Sequence, residues 1–275
     1  MFAREGVRVP TSPFGDTYRL RRIMSPLHGL VKRACHPSSI KCGAMRRLLL
    51  TLLLFALIPS VAPARVRPPV VVELFTAQGC SSCIKANELV SELSERPDVL
   101  ALTFAVDYWD YMGWPDTFAQ PAFTERQRAY ARKLALREVY TPQVVIDGEV
   151  QASGVRPERI EPLVDQAARE RRNPPDMMFM GSRRVAVGSG PVPRGGAEVW
   201  LVRYDPRPQE VTPRRGDTRG QTLVQRNMVR EIERLGAWRG KPTAYRMPVA
   251  GTEGLETVVL VQASKGGKII AVLAK

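Results

Sequence analysis

Val70-Val71-Val72-Glu73-Leu74-Phe75-Thr76-Ala77-Gln78-Gly79-Cys80-Ser81-Ser82-Cys83 is the stretch on which the reading of this chain turns. Its first six residues form an apolar run of the buried-strand type, broken by one acid. Thr76 to Gly79 make a short loop, and Cys80-Ser81-Ser82-Cys83 opens a helix-compatible segment over residues 84–93. Strand, tight loop and Cys-x-x-Cys at a helix start is the arrangement thiol–disulfide chemistry uses. Unpaired backbone N–H groups and the helix dipole there lower a thiol pKa from about 8.5 and favour the thiolate. Cys80 is therefore the expected nucleophile, and Cys83, one turn along, the residue that resolves a mixed disulfide. Ser81 and Ser82 add hydroxyl groups but no positive charge, so the expected depression is mild.

Outward from this motif, helical and strand patterns alternate. Residues 99–106 read as a second buried strand and 121–136 as a helix with its charges on one side. Residues 141–148 read as a strand running into an Asp-Gly turn, 149–151 as a short return strand, and 156–172 as a last helix with Pro157 in its first turn. This β-α-β-α-β-β-α order, with Cys-x-x-Cys at the first strand–helix junction, is the thioredoxin arrangement. Thr141-Pro142 stands just before the strand that should lie beside Cys80 and Cys83. Most X-Pro bonds are trans, but that position in thioredoxin-like folds holds a cis proline, so cis is expected here. The backbone of Thr141 would then pair with a substrate chain.

A polar, Pro-containing joint at residues 171–176 marks a change of texture. Beyond it, residues 177–187, 197–204, 256–262 and 269–273 are strand candidates between Gly- and Pro-rich turns, and 225–235 is ambiguous between helix and strand. The expected fold class is an α/β thioredoxin-like domain over residues 68–172 with an aromatic-rich insertion, followed by a smaller β-rich, sandwich-like domain over 176–275.

Two further features bear on the site. Glu73 sits inside an apolar strand, where a buried carboxyl could pass a proton to or from Cys83; the alternative is an acid paired with a nearby Arg or Lys. Between Asp107 and Phe123 lie Tyr108, Trp109, Tyr111, Trp114, Phe118 and Phe123, six of the chain's 19 aromatic residues. They form either a small core of their own or, with Tyr108, Trp109 and Trp114, one wall of a peptide-binding groove beside Cys80.

The ends bound the class of protein. Residues 45–64 read as a secretory signal: Arg46-Arg47, an apolar run from 48 to 58, and an Ala-x-Ala site ending at Ala64. An uncleaved anchor is the alternative, and the only membrane attachment the sequence suggests. Residues 1–44 are Arg-rich and aperiodic, read as a mis-assigned start or a disordered extension. Residues 1–64 carry ten Arg/Lys against two Asp/Glu, hence +8 of the formal +14, so the basic balance belongs to the leader and does not argue for nucleic acid. Both histidines and two of the four cysteines also lie there, which excludes Ser-His and Cys-His hydrolase chemistry from the exported part. Export, to a bacterial periplasm or beyond, places Cys80 and Cys83 where a disulfide is the resting state. No cofactor and no metal ion are expected.

Val71 to Thr76, Gly79 to Cys83, Val106-Asp107-Tyr108-Trp109-Asp110, Gly113-Trp114, Pro121-Ala122-Phe123-Thr124, Arg126-Gln127 and Tyr140-Thr141-Pro142-Gln143 together resemble the exported bacterial thioredoxin-like proteins grouped as domain of unknown function 1223. The tail resembles them more loosely, through residues 227–230, Leu235-Gly236 and Trp238. The resemblance implies a thioredoxin-like fold and says little of activity. This chain departs from the family pattern at Ile84-Lys85-Ala86-Asn87, where Pro-Pro-Ala-Asp is usual, and at Ala105, where His is usual.

The function expected is an exported thiol–disulfide oxidoreductase acting on protein or low-molecular-weight thiol or disulfide substrates, served by a periplasmic redox partner. A non-catalytic binding module with a structural Cys80–Cys83 staple is the alternative from another class. A copper(I) carrier is a third, for which Met112 is the one further soft ligand close in sequence.

Overall fold

In the computed structural model the described residues are 67–170 and 173–275, and they fall within one compact unit, residues 65–275. The expected signal at 45–64, the extension before it and the first residues of the joint at 171–176 lie outside the described residues. Alternation along the chain builds β1 (Val70–Thr76), α1 (Ile84–Leu93), β2 (Val99–Ala105), α2 (Pro121–Lys133), β3 (Gln143–Ile146), β4 (Val150–Ser153) and α3 (Ile160–Arg169). The remainder is strands: β5 (Met177–Phe179), β6 (Arg184–Val187), β7 (Ala197–Asp205), β8 (Gln209–Val211), β9 (Leu223–Gln225), β10 (Met228–Trp238), β11 (Thr243–Arg246), β12 (Glu256–Ala263) and β13 (Ile269–Ala274).

β1 and β2 pair in parallel, and every residue of both is buried, as continuous apolar strands covered on two faces must be. Side chains alternate across the sheet. Val70, Val72 and Leu74 face α1 and α3, meeting Ala86, Leu89, Val90, Leu93, Ile160 and Val164. Val71 and Phe75 face the other way, into a core with Phe104, Phe123 and Tyr130 beneath α2. Phe75 stacks on Phe104 and meets Tyr130 edge-on.

Eight strands form one sheet in the order β13-β12-β7-β10-β2-β1-β3-β4. The expected boundary between two domains does not interrupt this sheet: tail strand β10 runs parallel to β2 and pairs Met228 with Thr103. Asn227 makes this joint. It adopts a left-handed φ of 52°, its carbonyl accepts the Thr103 amide at 2.9 Å, and its side-chain amide donates to Ala101 O at 2.9 Å. Thr103 Oγ1 in turn donates to Arg226 O at 2.7 Å. Val202, Val229, Val258 and Leu260 of the tail share the core under α2 with Phe75 and Tyr130. The opposite face of the tail strands carries a second layer, β11-β6-β5, closed by Val185, Val187, Leu201, Trp238 and Val261.

Local differences from the sequence reading are small. The ambiguous segment is two strands, β9 and β10, and α2 stops at Lys133 because Ala135 takes a φ of 54° just beyond. The last helix begins as a 3₁₀ turn, Pro157–Arg159, before α3.

Candidate functional site

β1 delivers the chain to the site. The Cys80 amide donates to Ala77 O at 3.2 Å and the Cys83 amide to Cys80 O at 3.0 Å, winding the 3₁₀ turn Ser81–Cys83 that leads into α1. Cys83 is the N-cap of α1, and the first turn of that helix contains no acid to oppose an anion. Cys80 and Cys83 are joined in a disulfide with Cα atoms 5.3 Å apart. Ser82 Oγ lies 3.4 Å from Cys80 Sγ. Ser81 and Ser82 are exposed, yet each cysteine is only 1% exposed, so the disulfide lies beneath the surface.

The Thr141–Pro142 bond is cis. β3 runs antiparallel to β1 with Gln143 opposite Phe75, which brings Pro142 alongside Thr76, where the loop to Cys80 leaves the sheet. Gly154 closes the gap between this proline and the helix. Its amide donates to Pro142 O at 2.9 Å, and a Cβ placed on it would come within 2.9 Å of Pro142 Cβ and 2.8 Å of Ala86 Cβ. Ala86 therefore occupies a position in the first turn of α1 that holds the helix against the proline loop.

Tyr108 and Trp109, just after β2, pack against the cluster that contains both cysteines. Burial pushes the Tyr108 hydroxyl up to about 12, with the side chains of Gln127 and Thr141 nearby working in the other direction. Tyr108 OH, Thr141 Oγ1, Thr76 Oγ1, Gln127 Oε1 and Gln143 Nε2 are buried without a hydrogen-bond partner of good geometry. Gln127 Nε2 is engaged, donating to Tyr140 O at 2.7 Å and Gln143 Oε1 at 2.9 Å. The proline side of the site is thus lined by uncharged donors and acceptors.

Trp114 lies beside the loop that precedes Cys80. Its Nε1 donates to Gln78 Oε1 at 2.9 Å, so it grips the loop before Cys80. Tyr111 stands 82% exposed at the tip of the aromatic insertion. Gln78 is a fully buried hub that sequence reasoning missed. Its amide donates to Asp116 Oδ2 at 2.6 Å, its Nε2 to Thr117 Oγ1 at 2.9 Å, and its carbonyl accepts from Thr218 Oγ1 at 2.5 Å. Asp116 also accepts the Phe118 amide at 2.9 Å. Its own burial pushes its carboxyl up to about 6 despite these donors. A Gln in a Gly-containing loop carries no sequence signal for such a role, since its partners lie 36 to 140 residues away.

Of the two readings of Glu73, a proton relay to Cys83 or an acid paired with a basic residue, its contacts are those of the paired acid. Glu73 is fully buried, and Arg126 Nε donates to its Oε1 at 2.6 Å. Tyr130 OH donates to its Oε2. Arg126 Nη2 also donates to Tyr130 OH at 3.0 Å, and Gln262 Nε2 to the same hydroxyl at 2.9 Å. Burial works against the Arg126 charge, but Glu73 outweighs it and holds its pKa above the ordinary arginine range. Burial pushes the Tyr130 hydroxyl well up in the same network. Both Glu73 oxygens are committed here, the paired-acid alternative, and neither serves a sulfur. Arg126, one residue before Gln127 on α2, is buried because β1 offers it a carboxylate.

The family described as Protein of unknown function (DUF1223) matches residues 71–262, and the chain belongs to it. Among solved structures, the chain is similar to protein AGR_C_4864 from Agrobacterium tumefaciens, with 31% identity, a TM-score of 0.62, and coverage of 77% of this chain and 95% of that one. It is also similar in fold to HBP35 of Porphyromonas gingivalis, with 10% identity, a TM-score of 0.50, and coverage of 77% and 76%. No curated protein matches the chain.

Proposed function

We propose that this chain is an exported thiol–disulfide oxidoreductase of thioredoxin-like fold, with Cys80 as its attacking sulfur and Cys83 as the resolving one. The observation that carries the reading is the conjunction of a Cys80–Cys83 disulfide where β1 meets α1 with a cis Thr141–Pro142 bond beside it. In the oxidised form, a substrate thiolate attacks Cys80 Sγ, the Sγ–Sγ bond breaks, and Cys83 leaves as a thiolate. A second substrate thiolate then displaces Cys80 from the mixed disulfide. The substrate loses two electrons and the pair gains them; the reverse sequence reduces a substrate disulfide. The start of α1, free of acids, favours the Cys80 thiolate that both directions need.

A second reading has one observation in its favour. Both cysteines are 1% exposed, as in a structural staple of a binding module. The reduction potential of the pair together with the pKa of Cys80 decides between them. A potential above about −270 mV, with a Cys80 thiolate at neutral pH, is the expected result. A pair that stays oxidised at far lower potentials, or a Cys80 titrating near 8.5 like a free thiol, overturns the enzymatic reading in favour of the staple.

A further inference from the structure

Ser81 and Ser82 are exposed while the sulfurs on either side of them are not, and the loop that leads to Cys80 is held by a segment from far along the chain. The connection from β8 to β9, residues 212–222, crosses the loop that precedes Cys80. Thr218, fully buried, holds the Gln78 carbonyl at 2.5 Å. Gly216 lies so close that a Cβ on it would stand 3.8 Å from Gly79 Cα. The stem of Arg215 comes within 3.7 Å of where a Cβ on Gly113 would lie, so the same segment also touches the aromatic insertion. From the other side, Trp109 Cε3 would be 3.7 Å from a Cβ on Gly79. Gly79 immediately precedes Cys80, so both covers converge next to the attacking sulfur.

The segment holds its own shape. The Gly220 amide donates to Pro213 O at 2.9 Å, Arg219 to Gly216 O at 3.2 Å, and Gln221 to Thr218 O at 3.0 Å. Gly216 and Gly220 take φ values of +83° and +73°, which make these turns. Its outer surface, with Thr212, Arg214, Arg215, Asp217 and Arg219, is exposed. Within it only Pro213 and Thr218 are buried, and a pre-shaped loop held to the body by so few residues opens locally at low cost.

We propose that residues 212–222 form a strap that gates the disulfide. Seated, Thr218 and Gly216 close the Gln78–Gly79 side of the pair; lifted, they expose Cys80 to an incoming sulfur. The device assigns the tail a part in the site, and its purpose rests on the thiol–disulfide reading above, although the gate is measured without any protein substrate. The test is the rate at which tris(2-carboxyethyl)phosphine reduces the Cys80–Cys83 disulfide in the full chain. Thr218→Val removes the hydroxyl and is expected to speed reduction about fivefold, the factor a hydrogen bond of typical net strength is worth. A second variant replaces residues 212–222 with an Asn-Gly turn joining Val211 to Leu223, which pair directly in the β8–β9 ladder. It is expected to be reduced at least as fast as Thr218→Val. If the folded second variant is reduced at the wild-type rate, the gate is overturned. Its failure is separable from that of the proposed function. A strapless pair reduced rapidly that exchanges with no protein thiol keeps the gate and removes the enzyme; ready exchange with unchanged reduction rates does the opposite.

Discussion

Gly154 stands between Pro142 and Ala86 with no room for a side chain, and its amide donates to the Pro142 carbonyl at 2.9 Å. One glycine thus sets the spacing between the cis-proline loop and the first turn of the helix that carries Cys83. Its φ lies outside the left-handed range, so an added Cβ is a test of space rather than of backbone conformation. Gly154→Ala is expected to destabilise the protein by about 1–3 kcal/mol, the usual cost of overpacking. It should also change the reduction potential of the Cys80–Cys83 pair. Denaturant titration and redox equilibration of the same variant check both; an unchanged potential would separate the proline loop from the sulfurs.

Cys83→Ala and Cys80→Ser distinguish the two sulfurs. Under the proposed function Cys83→Ala leaves Cys80 able to attack but unable to be released, so mixed disulfides with substrate accumulate. Cys80→Ser accumulates none. Non-reducing electrophoresis of the protein reads the difference, and equal trapping by both variants contradicts the assigned roles.

The buried Glu73–Arg126 pair is a structural element and should behave as one. Removing one partner leaves an unpaired charge in the core, so Arg126→Met is expected to cost about 3–5 kcal/mol. The double variant Glu73→Leu, Arg126→Met is expected to recover much of that loss. Glu73→Gln should leave the rate of disulfide exchange unaltered in whatever fraction stays folded. Slowed exchange in fully folded Glu73→Gln would restore the proton relay.

Asp116 couples the loop before Cys80 to pH. Its folded-state pKa, about 6, lies above the ordinary value of 3.8 because the carboxyl is buried. Between those values the folded protein holds a proton that the unfolded chain has released, so this group's contribution to stability falls as pH rises through that window. The slope is at most one proton, about 1.4 kcal/mol per pH unit. Asp98 and Asp205, both held low chiefly by hydrogen bonds from Arg96 and Arg207, act in the opposite sense. The informative quantity is therefore the difference between wild type and Asp116→Asn. The wild type should lose stability relative to the variant from pH 4 to pH 6 (about those limits), as read by urea midpoints.

Asn227 tests the union of the two halves of the sheet. Asn227→Ala removes the bond to Ala101 O and places an alanine at a left-handed φ, for an expected loss of about 1–3 kcal/mol. Asn227→Gly, which keeps the backbone freedom, should cost less. If the strands beyond β10 melt separately from β1 and β2 in Asn227→Ala, the joint is what makes the unit cooperative.

Much of the site was legible along the chain because its determinants are local. The apolar run of β1, the spacing of Cys80 and Cys83, the start of α1 and the Thr141-Pro142 step each lie within a few residues of what they specify. The strands of the tail are legible in the sequence but their place in the sheet is not, because a change of composition at the joint says nothing about which strand edges meet. Asn227, in a left-handed conformation that few side chains adopt, stands where β10 begins beside β2, and that conformation is seen only in the structure. The bond from Trp114 to Gln78 is invisible in the sequence for the same reason: an indole N–H is one donor, and sequence does not say which acceptor lies opposite.

The sequence by itself determined that two cysteines three residues apart stand where a buried strand passes into a helix, since apolar run, short loop and helix start are all signals within a few residues of the pair. Tertiary structure alone decided how those sulfurs meet solvent. Glu73 became half of an ion pair because α2 brought Arg126 across the sheet, and Gln78, two residues before Cys80, is held by Thr218 from 140 residues further along the chain. Local chemistry follows from near neighbours in the chain, whereas burial and pairing depend on long-range closure, which sequence patterns of period two or 3.6 do not encode.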